Sequence, residues 1–335
     1  MLTNKTILIT GGTGSFGKCF TKYVLEHYDV KKIIIYSRDE FKQWMMENEF
    51  RAYQKDYEKK LRFFIGDVRD LDRFKRACYG VDYIIHAAAL KQVPACEYNP
   101  NEAIKTNING AMNVIEAALD CDVKKVVALS TDKAVNPINL YGGTKLVSDK
   151  LFIAANAYAG AKDVRFSVVR YGNVAGSRGS VIPFFKNIID NGGKELPITD
   201  YRMTRFWISL EEGVQLVIKA LTESNGGETF ISKIPSFKIT DLAQAMLPDC
   251  NMPEIGIREG EKLHEIMITR EDSALTYEYE KHYIIYPHYN WWGPENIISG
   301  GKKVEDGFEY SSGINKEWLS VEQLRELIDA MDFNH

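Results

Sequence analysis

Residues 130–145 hold side chains whose types and spacing could do proton chemistry. Tyr141 and Lys145 are four residues apart, so at the start of a helix they would share one face. A neighbouring ammonium favours the phenolate, lowers a tyrosine pKa from about 10 and makes the side chain a proton acceptor. Thr131, at the end of an apolar run, could hydrogen-bond the same substrate hydroxyl. A tyrosine and a lysine at this spacing also occur in ordinary helices, so other features must support a catalytic role.

The opposite charges of Asp132 and Lys133 directly follow Thr131, which is unusual at the end of a buried strand. In isolation, Lys133 would be interpreted as a solvated loop charge. Together with the tyrosine and lysine that follow, the pair raises the probability that this stretch is catalytic.

The elements that must position these groups begin near the N-terminus. An apolar run at 6–10 leads into GGTGSFG at 11–17 and then into an amphipathic helix. Such glycines permit a tight turn, close approach of the backbone to a phosphate, and close packing of helix on strand. The helix N-terminus offers free N–H groups and its positive dipole end to a pyrophosphate. The pattern predicts a dinucleotide site formed by Gly11, Thr13, Gly14, Ser15, Phe16 and Gly17.

The second predicted strand covers 32–36, and the residues that follow it determine whether the site prefers NAD or NADP. An acidic residue at the end of this strand would bind a ribose 2′-hydroxyl and favour NAD. Here Arg38 and Lys42 can neutralise a 2′-phosphate, and Ser37 can donate to it. Alternatively, Ser37 or Asp39 caps a helix whose charges face solvent. We favour NADP, with contacts from Ser37, Arg38, Asp39, Glu40, Phe41 and Lys42.

Further cofactor contacts are predicted after the third and fourth strands, at 62–66 and 81–86. An acidic and an apolar residue after the third strand could meet the adenine. Alanines after the fourth leave room for the cofactor or simply pack closely, and a lysine lies on the next loop. A threonine interrupts the apolar face of a helix at 101–120 and could order the site. These residues are Asp67, Val68, Ala87, Ala88, Lys91 and Thr106.

Composition excludes several classes of protein. The net charge of −4 and the pI near 6.0 argue against nucleic-acid binding. No apolar run approaches the roughly 18 residues of a membrane span. The five cysteines are scattered and odd in number, as expected of free thiols in the cytoplasm, and the six histidines show no metal-ligand spacing.

Alternating strands and helices predict an α/β fold, a Rossmann-like doubly wound parallel sheet with its ligand at the carboxyl ends of the strands. We place this dinucleotide-binding domain at 1–171, with 208–224 returning to pack on it. The glycine-rich and aromatic sequence at 172–335 predicts mainly a smaller C-terminal substrate-binding domain. The loop at 291–303 matches no pattern.

The motifs in combination resemble a known family over nearly the whole chain. The glycine loop, the Tyr141/Lys145 pair and YGNV are similar to the extended short-chain dehydrogenase/reductase superfamily. Within it, the chain resembles the inverting UDP-N-acetylglucosamine 4,6-dehydratases through FIGDVRD, HAAALKQVP, STDKA, RYGNV, MTRF and GEKLHE. One departure is Gly142 followed by Gly143, where the family pattern has glycine and alanine.

The resemblance implies an NADP-dependent hydro-lyase that dehydrates UDP-N-acetylglucosamine with inversion at carbon 5. The product would be UDP-2-acetamido-2,6-dideoxy-β-L-arabino-hex-4-ulose, a first step towards pseudaminic acid or a related nucleotide sugar. Tyr141, supported by Lys145, would take the proton of the carbon-4 hydroxyl. Asp132 would be the acid for the leaving hydroxyl and Lys133 the carbon-5 base, which needs a pKa lowered by burial or by Lys145. Retaining sugar dehydratases carry two carboxyls in these two places.

The resemblance also implies a homo-oligomer, a dimer or a hexamer, and a set of UDP-sugar contacts with the arginines at the diphosphate. Two alternatives stay open. One is a 4-epimerase or simple reductase on the same scaffold, against which Thr-Asp-Lys argues. The other is a non-catalytic dinucleotide sensor, against which the Tyr/Lys pair argues. The implied substrate contacts are Lys91, Asn173, Val181, Thr199, Met203, Arg205, Arg258 and Glu261.

Overall fold

The computed structural model describes residues 2–53, 56–176, 179–288, 298 and 300–331. Most of the loop at 291–303 therefore lies outside the described residues. Within them the strands are β1 (Thr6–Thr10), β2 (Lys32–Ser37), β3 (Leu61–Ile65), β4 (Tyr83–His86), β5 (Lys125–Thr131), β6 (Arg165–Tyr171), β7 (Thr204–Phe206), β8 (Thr229–Ser232), β9 (Ser236–Lys238), β10 (Ile266–Ile268), β11 (Thr276–Glu278), β12 (His282–Ile285), β13 (Lys302–Lys303) and β14 (Tyr310–Ser311).

The helices of the described residues alternate with these strands in the first half of the chain. They are α1 (Ser15–His27), α2 (Glu40–Tyr53), α3 (Tyr57–Lys60), α4 (Leu71–Cys78), α5 (Val93–Tyr98), α6 (Pro100–Ile104), α7 (Gly110–Asp120), α8 (Leu140–Tyr158), α9 (Val181–Asp190), α10 (Leu210–Glu223), α11 (Ile239–Met246) and α12 (Val321–Asp329). A π-helical turn, Lys105–Asn109, joins α6 to α7, and short 3₁₀ turns cover Asp132–Ala134 and Asp272–Leu275. No described helix is long and apolar enough to cross a membrane.

One large sheet carries the site. Its ten strands follow the order β13-β11-β12-β8-β6-β5-β4-β1-β2-β3, and those from β8 to β3 are all parallel. The register places Thr10 opposite both Tyr36 and His86, and Thr131 opposite Tyr171. The strands therefore end together at one edge, where ligands bind in such sheets. The predicted Rossmann-like fold is confirmed.

Helices cover both faces of the parallel part, and the strands are apolar on both sides for this reason. On one face, side chains of α1 and α10 such as Phe20 and Val217 pack with Ile9. On the other, side chains of α4, α7 and α8 such as Phe152 pack with Ile84. Both faces are covered by apolar side chains, so a ligand can reach the sheet at the carboxyl ends of its strands.

The chain after residue 171 contributes to two bodies of structure. A separate apolar cluster joins α9, α11 and α12 around residues such as Trp207 and Phe237. Four strands from this half, β8, β12, β11 and β13, nevertheless extend the main sheet, and α10 packs against α1. The division at residue 171 stays a prediction, with the addition that the sheet crosses it.

Candidate active site

A cavity of about 680 Å³ opens at the carboxyl ends of the parallel strands. Its wall is built from the glycine loop, the ends of β4 and β5, the start of α8 and the loop at 258–265. This volume lies within the usual range of ligand sites. The two stretches that the sequence singled out, 11–17 and 130–145, therefore face one common space.

The glycine loop lies tightly against the end of β4. Gly11 has φ +64°, and a Cβ there would stand 3.0 Å from the backbone N and Cα of Ala88. A Cβ on Gly17 would overlap the carbonyl oxygen of Gly12, so α1 can begin only where this residue is glycine. The N-terminus of α1 thus opens directly into the cavity, as a pyrophosphate site requires.

The Thr10 hydroxyl ties the ends of β1 and β4 together beneath this loop. It accepts N–H bonds from Ala87 and Ala88, each 3.1 Å long, and lies 2.9 Å from His86 Nδ1. With both lone pairs engaged, the hydroxyl donates its hydrogen to the imidazole. Burial, and secondly the charge of Lys145, lowers the pKa of His86 to about 3, which keeps the ring a neutral acceptor. This network fixes the loop that the cofactor would lie against.

All residues predicted to contact the cofactor line this cavity except Glu40 and Phe41. Asp39 and Lys42 are three residues apart at the start of α2, so they share the cavity face, and the two residues between them fall off it. The Phe41 ring is 61% exposed and stacks on Trp44. The expectation of a contact at Glu40 and Phe41 therefore has no support in the geometry.

The two basic residues that favour NADP stand at the rim of the cavity. Arg38 Nη1 lies 3.7 Å from Asp67 Oδ2, and Lys42 Nζ lies 3.2 Å from Asp39 Oδ2. Asp39 also accepts the backbone N–H of Lys42 at 3.0 Å and so caps α2. The capping alternative is correct for Asp39, yet it leaves both cations beside the space where a ribose would lie.

The π-helical turn brings Thr106 to the cavity wall, where its Oγ1 is buried without a hydrogen-bond partner among the described residues. Its neighbour Asn107 is held by Leu90, donating to the carbonyl at 2.9 Å and accepting the N–H at 2.8 Å. A further bond runs from Asn107 to Thr144 Oγ1 at 2.9 Å. Because the turn is held in place by Asn107, the unpartnered Thr106 hydroxyl is positioned to hydrogen-bond a ligand in the cavity.

The acid–base residues cluster where β5 ends. Thr131 Oγ1 donates to Asp132 Oδ1 at 2.9 Å, and Lys133 Nζ donates to the same oxygen at 3.1 Å. Lys133 Nζ also donates to Asn173 Oδ1 at 3.0 Å and to Glu265 Oε1 at 3.4 Å. The second carboxyl oxygen of Asp132 is buried and has no partner in the described part of the chain.

These contacts give pKa shifts that differ from the expected ones. Burial disfavours the charged form of Lys133, but the carboxylates of Asp132 and Glu265 outweigh it and raise the Lys133 pKa above its usual range. The expected lowered pKa is wrong, because the neighbouring charges are negative. Burial, with the charge of Glu265, raises the pKa of Asp132. Asp132 is thus suited to hold a proton, and Lys133 rests as an ammonium.

The tyrosine also departs from expectation. Burial raises the pKa of Tyr141 to about 12, against the opposing effects of the Lys133 charge and a hydrogen bond with Thr131. Lys145 is itself buried, which lowers its pKa, and Asp149 is the charge that opposes this shift. The expected lowering of the Tyr141 pKa by Lys145 is therefore wrong.

The start of α8 couples these two groups of residues. Asn139 caps the helix by accepting the N–H of Gly142 at 2.8 Å. A Cβ on Gly142 would overlap the carbonyl oxygen of Lys133, whereas one on Gly143 would meet nothing within 4 Å. The first glycine is a close-packing requirement, and the second, where the family pattern has alanine, is not.

The predicted substrate residues are only partly brought together. The cavity is lined by Lys91, Asn173, Arg205, Arg258 and Glu261, but not by Val181, Thr199 or Met203. Thr199 Oγ1 donates to Met203 Sδ at 3.1 Å, and Met203 is buried in the cluster with Trp207. Val181 packs against the same cluster, so none of the three residues lines the cavity.

Sequence reasoning missed Glu265 as a member of the site. It lines the cavity, is 2% exposed, and contacts both Lys133 and Arg205, the latter at 3.6 Å from Nε. The signal was present in the motif GEKLHE, whose last residue it is. Lys91 is also placed here, and burial together with the Lys133 charge lowers its pKa.

Comparisons with known proteins agree with this geometry. The chain is 58% identical to a UDP-N-acetylglucosamine 4,6-dehydratase (inverting) of Campylobacter jejuni, over 98% of both chains. It is 41% identical to a UDP-glucose 4-epimerase of Rickettsia rickettsii, over 99% of this chain and 98% of that one. The X-ray structure of Pen from Bacillus thuringiensis matches with a TM-score of 0.87 and 38% identity, over 98% of each chain. The resemblance inferred from the motifs is confirmed. Residues 7–287 match the profile of the polysaccharide biosynthesis protein family, and the chain belongs to that family.

Proposed function

We propose that the protein is an inverting UDP-N-acetylglucosamine 4,6-dehydratase, a hydro-lyase acting on a nucleotide sugar. The observation that carries the proposal is the contact of Asp132 with Lys133 in the cavity that also holds Tyr141 and the glycine loop. An oxidation at carbon 4 needs only the tyrosine and a nicotinamide, whereas loss of water from carbons 5 and 6 needs a further acid and base. The 58% identity to a dehydratase of that name supports the same reaction.

The cofactor that we propose is NADP. The close approach at Gly11, the open N-terminus of α1 and the Thr106 hydroxyl, which has no partner among the described residues, all fit a dinucleotide. Arg38 and Lys42 would meet the 2′-phosphate. When bound, the nicotinamide supplies the hydride acceptor for carbon 4 and returns the hydride to carbon 6 within one turnover.

Tyr141 would take the proton of the carbon-4 hydroxyl, with Thr131 hydrogen-bonding the same oxygen. Burial raises the pKa of Tyr141 to about 12, and the Lys133 charge opposes this shift and so favours the phenolate. The role of Lys145 is to hold its ammonium near this site, backed by Asp149.

Asp132 would protonate the carbon-6 hydroxyl as it leaves, for which its raised pKa and free carboxyl oxygen are suited. Lys133 would remove the proton at carbon 5 once its own ammonium proton has passed to Asp132 Oδ1, 3.1 Å away, and this transfer also leaves Asp132 protonated as the acid. Tyr141 is the alternative base. Protonation of carbon 5 from the opposite face then inverts that centre.

The diphosphate would be met by Arg205 and Arg258, both at the cavity wall. Arg205 is already oriented by Glu261, 3.2 Å from its Nη2. A cytoplasmic location, a homo-oligomer, either a dimer or a hexamer, and a product used for pseudaminic acid or a related nucleotide sugar are further parts of the proposal.

The test is incubation with UDP-N-acetylglucosamine and an equimolar amount of NADP. We expect a 4-keto-6-deoxy product lighter by one water, with no net accumulation of NADPH. In deuterated water the product should carry deuterium at an inverted carbon 5. Stoichiometric NADPH would indicate a dehydrogenase, and retained configuration would remove the inverting assignment alone.

A 4-epimerase is the second candidate, because the chain is 41% identical to a protein of that name. An epimerase would give a product of unchanged mass. The buried Asp132–Lys133 contact argues against it, since an epimerase has no water to eliminate and no use for a second acid–base pair.

A further inference from the structure

Glu265 is a buried carboxylate in the cavity wall that the proposed reaction has not yet used. It stands immediately before β10, and its Oε1 lies 3.4 Å from Lys133 Nζ and 3.6 Å from Arg205 Nε. One carboxyl oxygen thus lies between the acid–base pair and an arginine proposed for the diphosphate.

The backbone of Glu265 is fixed on both sides by Ser312. Glu265 N–H donates to Ser312 Oγ at 2.9 Å, and Ser312 N–H donates to the Glu265 carbonyl at 2.8 Å. Ser312 Oγ also lies 2.7 Å from Thr204 Oγ1, next to Arg205 in β7. Ser312 therefore links the backbone of Glu265 to β7, the strand that carries Arg205.

A purely structural role does not account for this residue. Its second oxygen, Oε2, is buried and has no hydrogen-bond partner among the described residues. Burying a charge with an unsatisfied oxygen costs stability, and apolar residues of similar size serve a core better. Charged groups kept in this way at a cavity wall are candidates for a functional role.

We propose that Glu265 is a positioning residue for the elimination step: its carboxylate holds the Lys133 ammonium at the cavity wall and disfavours a second negative charge on Asp132. This inference rests on the proposed dehydratase function. It adds a group that acts through Asp132 and Lys133 rather than on the sugar itself.

The surrounding charges define the sign of the effect. Four charged groups of the described residues face Glu265. They are Asp132 and Lys133 on the turn after β5, Arg205 on β7 and Lys262 on the loop that also carries Glu265. Two further groups in this part of the chain face Lys133, namely Tyr141 on α8 and Lys91 on the loop after β4. Removing one negative charge from this set makes it easier for Asp132 to ionise and for Lys133 to lose its proton. Both changes lower a pKa, so both limbs of a pH–rate profile move to lower pH.

The experiment compares Glu265→Gln with the wild type in single-turnover elimination, measured as formation of the 4-keto-6-deoxy product from UDP-N-acetylglucosamine. Glutamine keeps the shape and one acceptor but removes the charge. We expect the pH–rate profile to move to lower pH by roughly one unit, as for the loss of a charge at this range. On the alkaline limb, where Asp132 must keep its proton, elimination should slow roughly tenfold, and on the acid limb it should speed up by the same factor. NADPH formation in the first half-reaction should persist, which shows that the variant is folded.

Glu261→Gln is the matched control, because Glu261 pairs with the same arginine but does not contact Lys133. It should raise KM for the nucleotide sugar and leave the profile in place. Glu265→Asp, which withdraws the charge by one methylene, should move the profile in the same direction by less. This variant also serves if the glutamine variant does not fold.

An unmoved profile in both Glu265 variants would overturn the inference, as would an equal displacement in Glu261→Gln. These results differ from a failure of the proposed function. If the wild-type protein gives no product lighter by one water, the dehydratase proposal is wrong. If it does and the Glu265 variants keep its profile, only the role of Glu265 is wrong.

Discussion

The site has a tyrosine side on α8, which contains the buried Lys145, and a turn side after β5, which contains Lys133 with a side chain that is 26% exposed. The pKa values of the two lysines shift in opposite directions. On α8, burial lowers the pKa of Lys145, and Asp149 is the opposing charge. On the turn after β5, Asp132 and Glu265 outweigh the same burial and raise the pKa of Lys133. Burial disfavours an ammonium at both places, so the number of carboxylates decides the outcome.

The difference separates two kinds of chemistry within one cavity. Asp149 behind Lys145 is itself shared, since Ser130 Oγ donates to it at 2.5 Å and Arg170 Nη2 lies 3.8 Å away. Both of these contacts are made by Oδ2 of Asp149, and no direct ion pair between Asp149 and Lys145 forms among the described residues. The tyrosine side is therefore suited to exchanging a proton with a hydroxyl, and the turn side to holding charge until elimination.

Loss of the phenol should have the largest effect, because oxidation comes first in the reaction. In Tyr141→Phe we expect the rate of product formation to fall roughly 10²- to 10⁴-fold, the usual contribution of a general base. Neither product nor substrate-dependent NADPH absorbance should appear in a single turnover. If NADPH formed at the wild-type rate, the tyrosine side would not carry the first step.

Loss of the Lys133 ammonium should slow the elimination step while leaving the oxidation step intact. Lys133→Ala leaves the residues of α8 in place, so substrate-dependent NADPH absorbance should still appear while product formation falls by roughly 10²-fold or more. The measurement is NADPH absorbance beside mass analysis of the product, in deuterated water. If the variant still exchanged deuterium into carbon 5, the base would be another group, with Tyr141 the first to test.

The two sides meet at a glycine, and substitution there should disturb the turn more than the tyrosine. In Gly142→Ala the new Cβ would overlap the Lys133 carbonyl oxygen, so the turn must shift. We expect a destabilisation of about 1–3 kcal/mol, as for overpacking, and slower elimination than oxidation. Thermal unfolding and the two half-reactions would measure this.

Gly143→Ala is the matched control, because nothing lies within 4 Å of its Cβ. We expect it to stabilise the protein by about 0.5–1 kcal/mol, since alanine is the better helix former, with unchanged rates. Equal effects of the two substitutions would mean that the overlap at Gly142 does not transmit to the turn.

The fold and the tyrosine side were largely predictable from the sequence, because they depend on local patterns. The alternation of apolar runs and helices gives the parallel sheet, and a spacing of four residues places Tyr141 and Lys145 on one helix. The glycine loop is a local pattern as well. Each of these features follows from the chain within one turn or one crossover.

On the turn side Asp132 and Lys133 were predicted, but the direction of the Lys133 pKa shift was not, because it depends also on Glu265, 132 positions further along the chain. A short spacing can suggest that Lys133 is buried, but not that two carboxylates surround it. The same reason explains Thr199 and Met203, which were predicted to contact the substrate but do not line the cavity, because Met203 packs in the cluster with Trp207 and Thr199 donates to its sulfur. Long-range packing decides both outcomes.

Substitutions at the cavity rim where the adenosine of the cofactor would bind should have the smallest effect on the reaction rates, because this rim contacts neither Lys133 nor Lys145. Arg38 stands at the cavity rim, about half exposed, with Asp67 Oδ2 at 3.7 Å. In Arg38→Ala we expect NADP affinity to fall roughly tenfold, or about 1.5 kcal/mol for one charge-assisted contact, and NAD affinity to stay the same. At saturating cofactor both half-reactions should run as in the wild type, since neither Lys133 nor Lys145 has lost a neighbour. Titration of the two dinucleotides by fluorescence would measure this, and Lys42→Ala offers a second cation at the same rim. An equal loss for NAD and NADP would show that Arg38 does not contact the 2′-phosphate, and slower elimination at saturation would show that the adenosine end and the turn side are coupled.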